Sequence, residues 1–73
     1  MSAEIIFVIL LDEGVDVWRS VRAEHLQGDE YRILDQPRGD GETWQFLPGS
    51  RVICERRELS DAWVLAAAHE AGL

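Results

Sequence analysis

Between residues 15 and 24 apolar and polar side chains alternate. Val15, Val17, Val21 and Ala23 fall on one row, while Asp16, Trp18, Ser20, Arg22 and Glu24 fall on the other. A period of two marks a strand with one dry and one wet face. The pattern predicts a strand over residues 15–26 with Trp18, the bulkiest side chain, on its wet row. The preceding stretch differs. Ile5, Ile6, Phe7, Val8, Ile9, Leu10 and Leu11 are apolar on both rows, as in a strand covered on both sides or a barrel strand with an interface outside. If Ile5, Phe7 and Ile9 fill a core, Ile6, Val8 and Leu10 need cover from elsewhere. Asp12-Glu13-Gly14 supplies the turn between the two strands, with Gly14 free to take a positive φ.

The same reading carries on down the chain. Gln27-Gly28-Asp29 is a turn, and residues 30–34 form a third strand with Tyr31 and Ile33 on one face and Arg32 and Leu34 on the other. Residues 35–42, with Pro37, Gly39 and Gly41, read as a loop. Trp44 and Phe46 stand at strand spacing before a Leu47-Pro48-Gly49-Ser50 turn, and a fourth strand runs from Arg51 to Leu59. The second strand is long enough to need a bend or bulge, expected near Arg19-Ser20, because small barrels curl their strands this way. The last segment supports two readings. Ser60 as an N-cap, five alanines and Gly72 as a C-cap favour a helix over 61–71. Alternatively, Ser60-Asp61 is a two-residue turn, although not a preferred dipeptide, and residues 62–69 are a fifth strand.

These elements predict a mainly β fold: a small five-stranded antiparallel barrel of the SH3-like kind, with the whole chain as one domain. The alternative is α+β, four strands plus the C-terminal helix. Seventy-three residues leave no room for a second core. A domain of this length buries only about 60% of its unfolded surface, so it needs dense packing or an external staple. A single cysteine excludes an intrachain disulfide, and no Cys/His set offers zinc ligands. The three tryptophans, two phenylalanines and one tyrosine then carry the packing. The lone thiol points to a reducing, cytoplasmic setting. The apolar run at residues 5–11 follows Glu4 in place of a basic region and is far short of the roughly 20 residues of a membrane helix, so neither a signal peptide nor a membrane partner is expected.

Fourteen acidic against seven basic side chains leave a net charge of −7. That repels polyphosphate backbones and anionic lipid, so nucleic acid is an unexpected partner.

The run LLDEGVDVWRSVRAEHL, then EYRIL, then WQFLPGSRVICERREL resembles a set of small uncharacterised bacterial proteins. The marks of that set are V-D-V-W-R-x-V after an acidic-Gly turn, followed by W-x-F-x-P-G-x-x-V and a C-E pair. Here they fall on Trp44, Phe46, Pro48, Gly49, Val52, Cys54 and Glu55. The resemblance covers most of the chain up to Leu59 and implies an SH3-like barrel with a final strand, which favours the strand reading of the last segment. It implies no activity. The alanines between residues 66 and 71 depart from the pattern.

Candidate chemistry is sparse. Cys54 would be a nucleophile only if His25 or His69 lowered its pKa, and no elbow or oxyanion glycine motif accompanies it; a buried small hydrophobe is the plainer reading. Asp12, Glu13 and Asp16 lack the spacing of a calcium loop. Arg38-Gly39-Asp40 matches a tripeptide read by adhesion receptors, a match that chance supplies. Trp18 is either a docking residue, a core residue behind a bulge, or a ring lying under the stems of Arg22 or Arg32. Trp44 and Phe46 either line an aromatic groove for a proline-rich peptide or pack the core. Arg51, Arg56 and Arg57 interleave with Glu55 and Glu58 as cross-strand pairs on a soluble surface. The reading that results is a non-catalytic module without cofactor or metal. It would contact a protein partner or a second copy of itself through an aromatic surface formed by Trp18, Arg22, Arg32, Trp44 and Phe46. A nucleic-acid-associated adaptor and a toxin-neutralising, immunity-like protein are the alternatives.

Overall fold

The computed structural model describes residues 3–11, 13–37 and 42–71. Five strands form a closed barrel in chain order: β1 (Ala3–Leu10), β2 (Val17–Gln27), β3 (Glu30–Ile33), β4 (Arg51–Leu59) and β5 (Ala62–Glu70). Residues 61–70 contain no helix; the alternative helix over 61–71 is replaced by β5. The cause lies at Ser60 and Asp61, which take φ of 50° and 67°. Both central residues of a two-residue hairpin turn stand at positive φ in the type I′ geometry, whose twist matches that of the strands it joins. Leu59 and Ala62 close the turn. Tertiary pairing thus overrides the helix propensity of the alanines.

Consecutive strands pair antiparallel, but the seam between β1 and β5 is parallel, with Phe7 opposite Ala66. An odd number of strands in an up-and-down ring forces this: the first and last must run the same way. The seam is short. Past Phe7, the edge of β1 is taken over by residues 43–45. Leu10 bridges Trp44, the Leu11 amide donates to the Thr43 carbonyl at 2.7 Å, and the Gln45 amide donates to Ile9 at 3.0 Å.

The β1/β2 register decides which apolar row is inside. Ile6 faces Val21, Val8 faces Arg19 and Leu10 faces Val17. Ile6, Val8, Leu10, Val21 and Ala23 are buried together with Tyr31, Ile33, Val52, Cys54 and Ala67. Of the two apolar rows of β1, it is Ile6, Val8 and Leu10 that fill the core. Ile5, Phe7 and Ile9 form the outer row; Ile5 is exposed and the other two are half-buried. The physical reason is that antiparallel partners share a face, and β2 has its dry row at Val21 and Ala23.

The expected bulge near Arg19-Ser20 is absent, since pairing runs unbroken from Ala3–Glu24 to Leu10–Val17. The irregularity lies instead between His25 and Gln27, where β2 leaves β1 and turns into β3, and a second lies at Ile53/Cys54. Each relieves the coiling where a strand changes partner. Gly28 at φ 50° begins the β2–β3 turn, and Gly49 at φ 85° follows Pro48 in a turn closed by Ser50 N–H to Leu47 C=O at 3.1 Å; both need the freedom of glycine. Tyr31 and Ile33 are buried while Arg32 and Leu34 are exposed, as their alternation implies. Among the described residues no helix is long and apolar enough to cross a membrane. The Arg38-Gly39-Asp40 tripeptide, Asp12 and the Gly72 cap lie outside the described residues.

Candidate functional site

β4 has nine residues and β3 only four. β3 accompanies β4 through Ile53, and the last link on that side is the Cys54 amide donating to the Asp29 carbonyl at 2.8 Å. From Glu55 onward β4 pairs with β5 alone. The two strands run on past the end of β3 as an arm, and the row that faces the core inside the barrel emerges into solvent along it. On β4 that row reads Val52, Cys54, Arg56, Glu58; opposite on β5 it reads Ala67, Leu65, Trp63. Burial falls along it in step: Ala67 is buried, Leu65 half-buried, and Trp63 is 70% exposed.

The arm, the β2–β3 turn and the barrel rim enclose an open groove of about 800 Å³, with Asp29, Tyr31, Cys54, Arg56, Trp63 and Leu65 on its walls. The Tyr31 phenol is held above its ordinary pKa by burial, then by Glu4, Cys54 and Asp29. The Cys54 thiol is pushed up to about 11 by burial and by the Asp29 charge. It is protonated at neutral pH, the opposite of what a nucleophile needs. His25 is occupied elsewhere: its Nε2 pairs with the Gly28 carbonyl at 2.7 Å and its ring stacks on Tyr31, centroids 4.9 Å apart. The groove walls thus mix apolar and aromatic side chains with Asp29, Glu55 and Arg56, around a thiol that is protonated at neutral pH. Among the described residues no group of three or more His, Cys, Asp and Glu is placed to hold a metal ion.

A second cleft of about 470 Å³ lies where β2 meets the flanks of the 35–42 loop. Its charges are already matched. Arg19 pairs with Glu42, which also accepts the Trp44 indole N–H at 3.0 Å. These two hydrogen bonds, the indole's first, hold the Glu42 carboxyl below its ordinary pKa. The arrangement ties Glu42 and Trp44 to β2.

The residues read as candidates from the sequence do not form one surface. Trp44 and Phe46 are buried core residues; Trp44 also forms part of the wall of the cleft beside Arg19 and Glu42, without Phe46 or Trp18 next to it there. Trp18 is on the outer face as its alternation implies, half-buried, with no bulge reversing it. The arginine over its ring is neither Arg22 nor Arg32 but Arg57, its guanidinium carbon 5.4 Å from the ring centroid. Arg22 is held by Asp35, Nε to Oδ1 at 2.8 Å, and Arg32 lies 3.7 Å from Glu24. The residue missed is Trp63. Once Ser60-Asp61 is taken as a hairpin turn, alternation puts Trp63 on the same row as Leu65 and Ala67; what alternation cannot show is that β3 stops short and leaves the row uncovered.

No family model matches the chain, and no curated protein or solved structure matches it either.

Proposed function

We propose that this chain is a non-catalytic interaction module that takes a polypeptide partner on the β4–β5 arm, with Trp63 as the anchor. The observation that carries the reading is a tryptophan left 70% exposed on a groove wall in a domain short of core material. Tryptophan offers a large rigid area for little lost entropy and dominates interface energetics. The protonated, buried Cys54 supports a role without catalysis. The arginines favour a protein partner over nucleic acid: Arg19, Arg22, Arg32, Arg51 and Arg57 each stand beside a carboxylate of this same chain, so few are free for phosphates. The SH3-like kinship drawn from the sequence motifs and a cytoplasmic setting belong to the same proposal and add no activity to it.

A photo-crosslinking phenylalanine derivative placed at position 63, and at exposed Gln45 as a control, tests this in the cells that make the protein. The expected result is a polypeptide adduct at 63 well above the yield at 45. Equal, background yields at the two positions would overturn the proposal.

A further inference from the structure

The arm carries more than a tryptophan. Pairing with β5 fixes which way each main-chain group of β4 points. Leu59 faces Ala62 across the two-residue turn, and a turn of this type is closed by a hydrogen-bonded pair. Hydrogen-bonded and non-hydrogen-bonded pairs alternate along an antiparallel ladder. Leu59, Arg57 and Glu55 therefore spend their N–H and C=O groups on β5. Those of Arg56 and Glu58 point the other way, to the side that β3 has vacated, where they have no partner among the described residues. An unpaired edge of this kind is a template for another strand.

We infer that a second copy of this chain docks on the edge, the two β4 strands pairing antiparallel about a two-fold axis at Arg57. This rests on the reading of the arm as an interaction surface and names its occupant. Two edge-pointing residues allow three self-pairings: Arg56 on Arg56, Glu58 on Glu58, or Arg56 on Glu58. The first two set like charges face to face. The third sets opposite charges together twice, once on each side of the axis, each pair exchanging both N–H···O bonds. An isologous interface needs this self-complementarity. Leu65 lies beside Arg56 and Trp63 beside Glu58 on the same face, so each Arg56 has its own Leu65 on one side and the second copy's Glu58 on the other, with that copy's Trp63 one strand beyond.

Arg57 would meet its own symmetry mate, but its guanidinium is drawn over Trp18 and towards Glu55 at 3.9 Å. Charge does not oppose contact along this stretch. The chain has net charge −7, yet Glu55, Arg56, Arg57 and Glu58 sum to zero, so two copies can approach here with little local repulsion. The ladder has a natural stop, because Asp29 already occupies the Cys54 amide. A ladder this short buries less than the roughly 1,200 Å² of a standard interface, which makes a weak, reversible dimer with Kd on the order of 100 µM.

Sedimentation equilibrium from about 10 µM to 1 mM, with amide exchange by NMR at both ends, tests the inference. The expected outcome is a monomer–dimer equilibrium in which the Arg56 and Glu58 amides gain protection with concentration. R56E and E58R should each weaken the dimer roughly tenfold or more, while the double swap R56E/E58R, or an equimolar mixture of the two single variants, restores it. The rescue separates lost pairing from lost folding. A monomer at every concentration, or a dimer indifferent to the single swaps, would overturn it. A monomer whose position 63 crosslinks to a different polypeptide would leave the interaction reading standing and remove the second copy alone.

Discussion

Cys54 is 2% exposed, and burial with the nearby Asp29 charge raises its thiol from 9.0 to about 11. A raised value means that the folded chain keeps this proton longer than the unfolded chain. The contribution to stability is whole below pH 9 and is lost as pH rises from 9 to 11, roughly 2–3 kcal/mol across the window. Tyr31, raised above 10.0 mainly by burial, acts in the same sense at the upper end. Urea midpoints at pH 7.5, 9 and 10.5 should therefore fall steeply between the last two, and C54A should flatten the fall while leaving the tyrosine's part. The tryptophans diverge by position. Trp44 is 5% exposed in the core and Trp63 is 70% exposed on the arm. W44A should cost about 3–5 kcal/mol. W63A should stay within about 0.5 kcal/mol of the parent by chemical denaturation, as surface substitutions do, and should remove the red-shifted, acrylamide-quenchable part of the emission. Nothing in the composition separates the two rings; alternation put Trp18 on the wet row correctly but had no means of ranking Trp44 against Trp63.

At the scale of elements, β5 and β1 show where pattern reading succeeds and where it stops. The wet and dry rows of β2 and β3 were legible because one side of each is polar. β1 is apolar on both rows, so its own residues do not say which row faces inward; the pairing of Ile6 with Val21 does. Residues 62–70 were ambiguous because alanine tolerates both states, and Ser60-Asp61 is not a standard hairpin dipeptide. A serine at positive φ costs about 1–2 kcal/mol and an aspartate less, because its short polar side chain suits the region, so the strain of this turn sits mainly at Ser60. Replacing it with Asn-Gly, which suits type I′ geometry, should stabilise the chain by roughly 1–2 kcal/mol in urea titrations. A loss of stability would mean that Ser60 or Asp61 makes contacts worth more than the strain.

At the scale of the molecule, a ring closed by a single parallel bridge depends on its core more than on its hydrogen-bond seam. A domain of this length has about 4–11 kcal/mol to spare, and Ile6 is fully buried where β1 meets β2. I6A should cost about 2–5 kcal/mol, lowering the urea midpoint by a large fraction of its value; a change under about 1 kcal/mol would mean that the barrel does not pack around β1. What the sequence determined by itself was local and periodic: the first four strands, the turns between them and the row on which Trp18 stands, while residues 62–70 stayed open between helix and strand. Those features depend on neighbours two to four residues away, and a periodic pattern records them. Which row of β1 is inside, which arginine covers Trp18, and that β4 outruns β3 were decided by the tertiary structure. Each depends on the length and register of a strand distant in the chain, and on that difference in length rests the open edge of β4, one strand from Trp63.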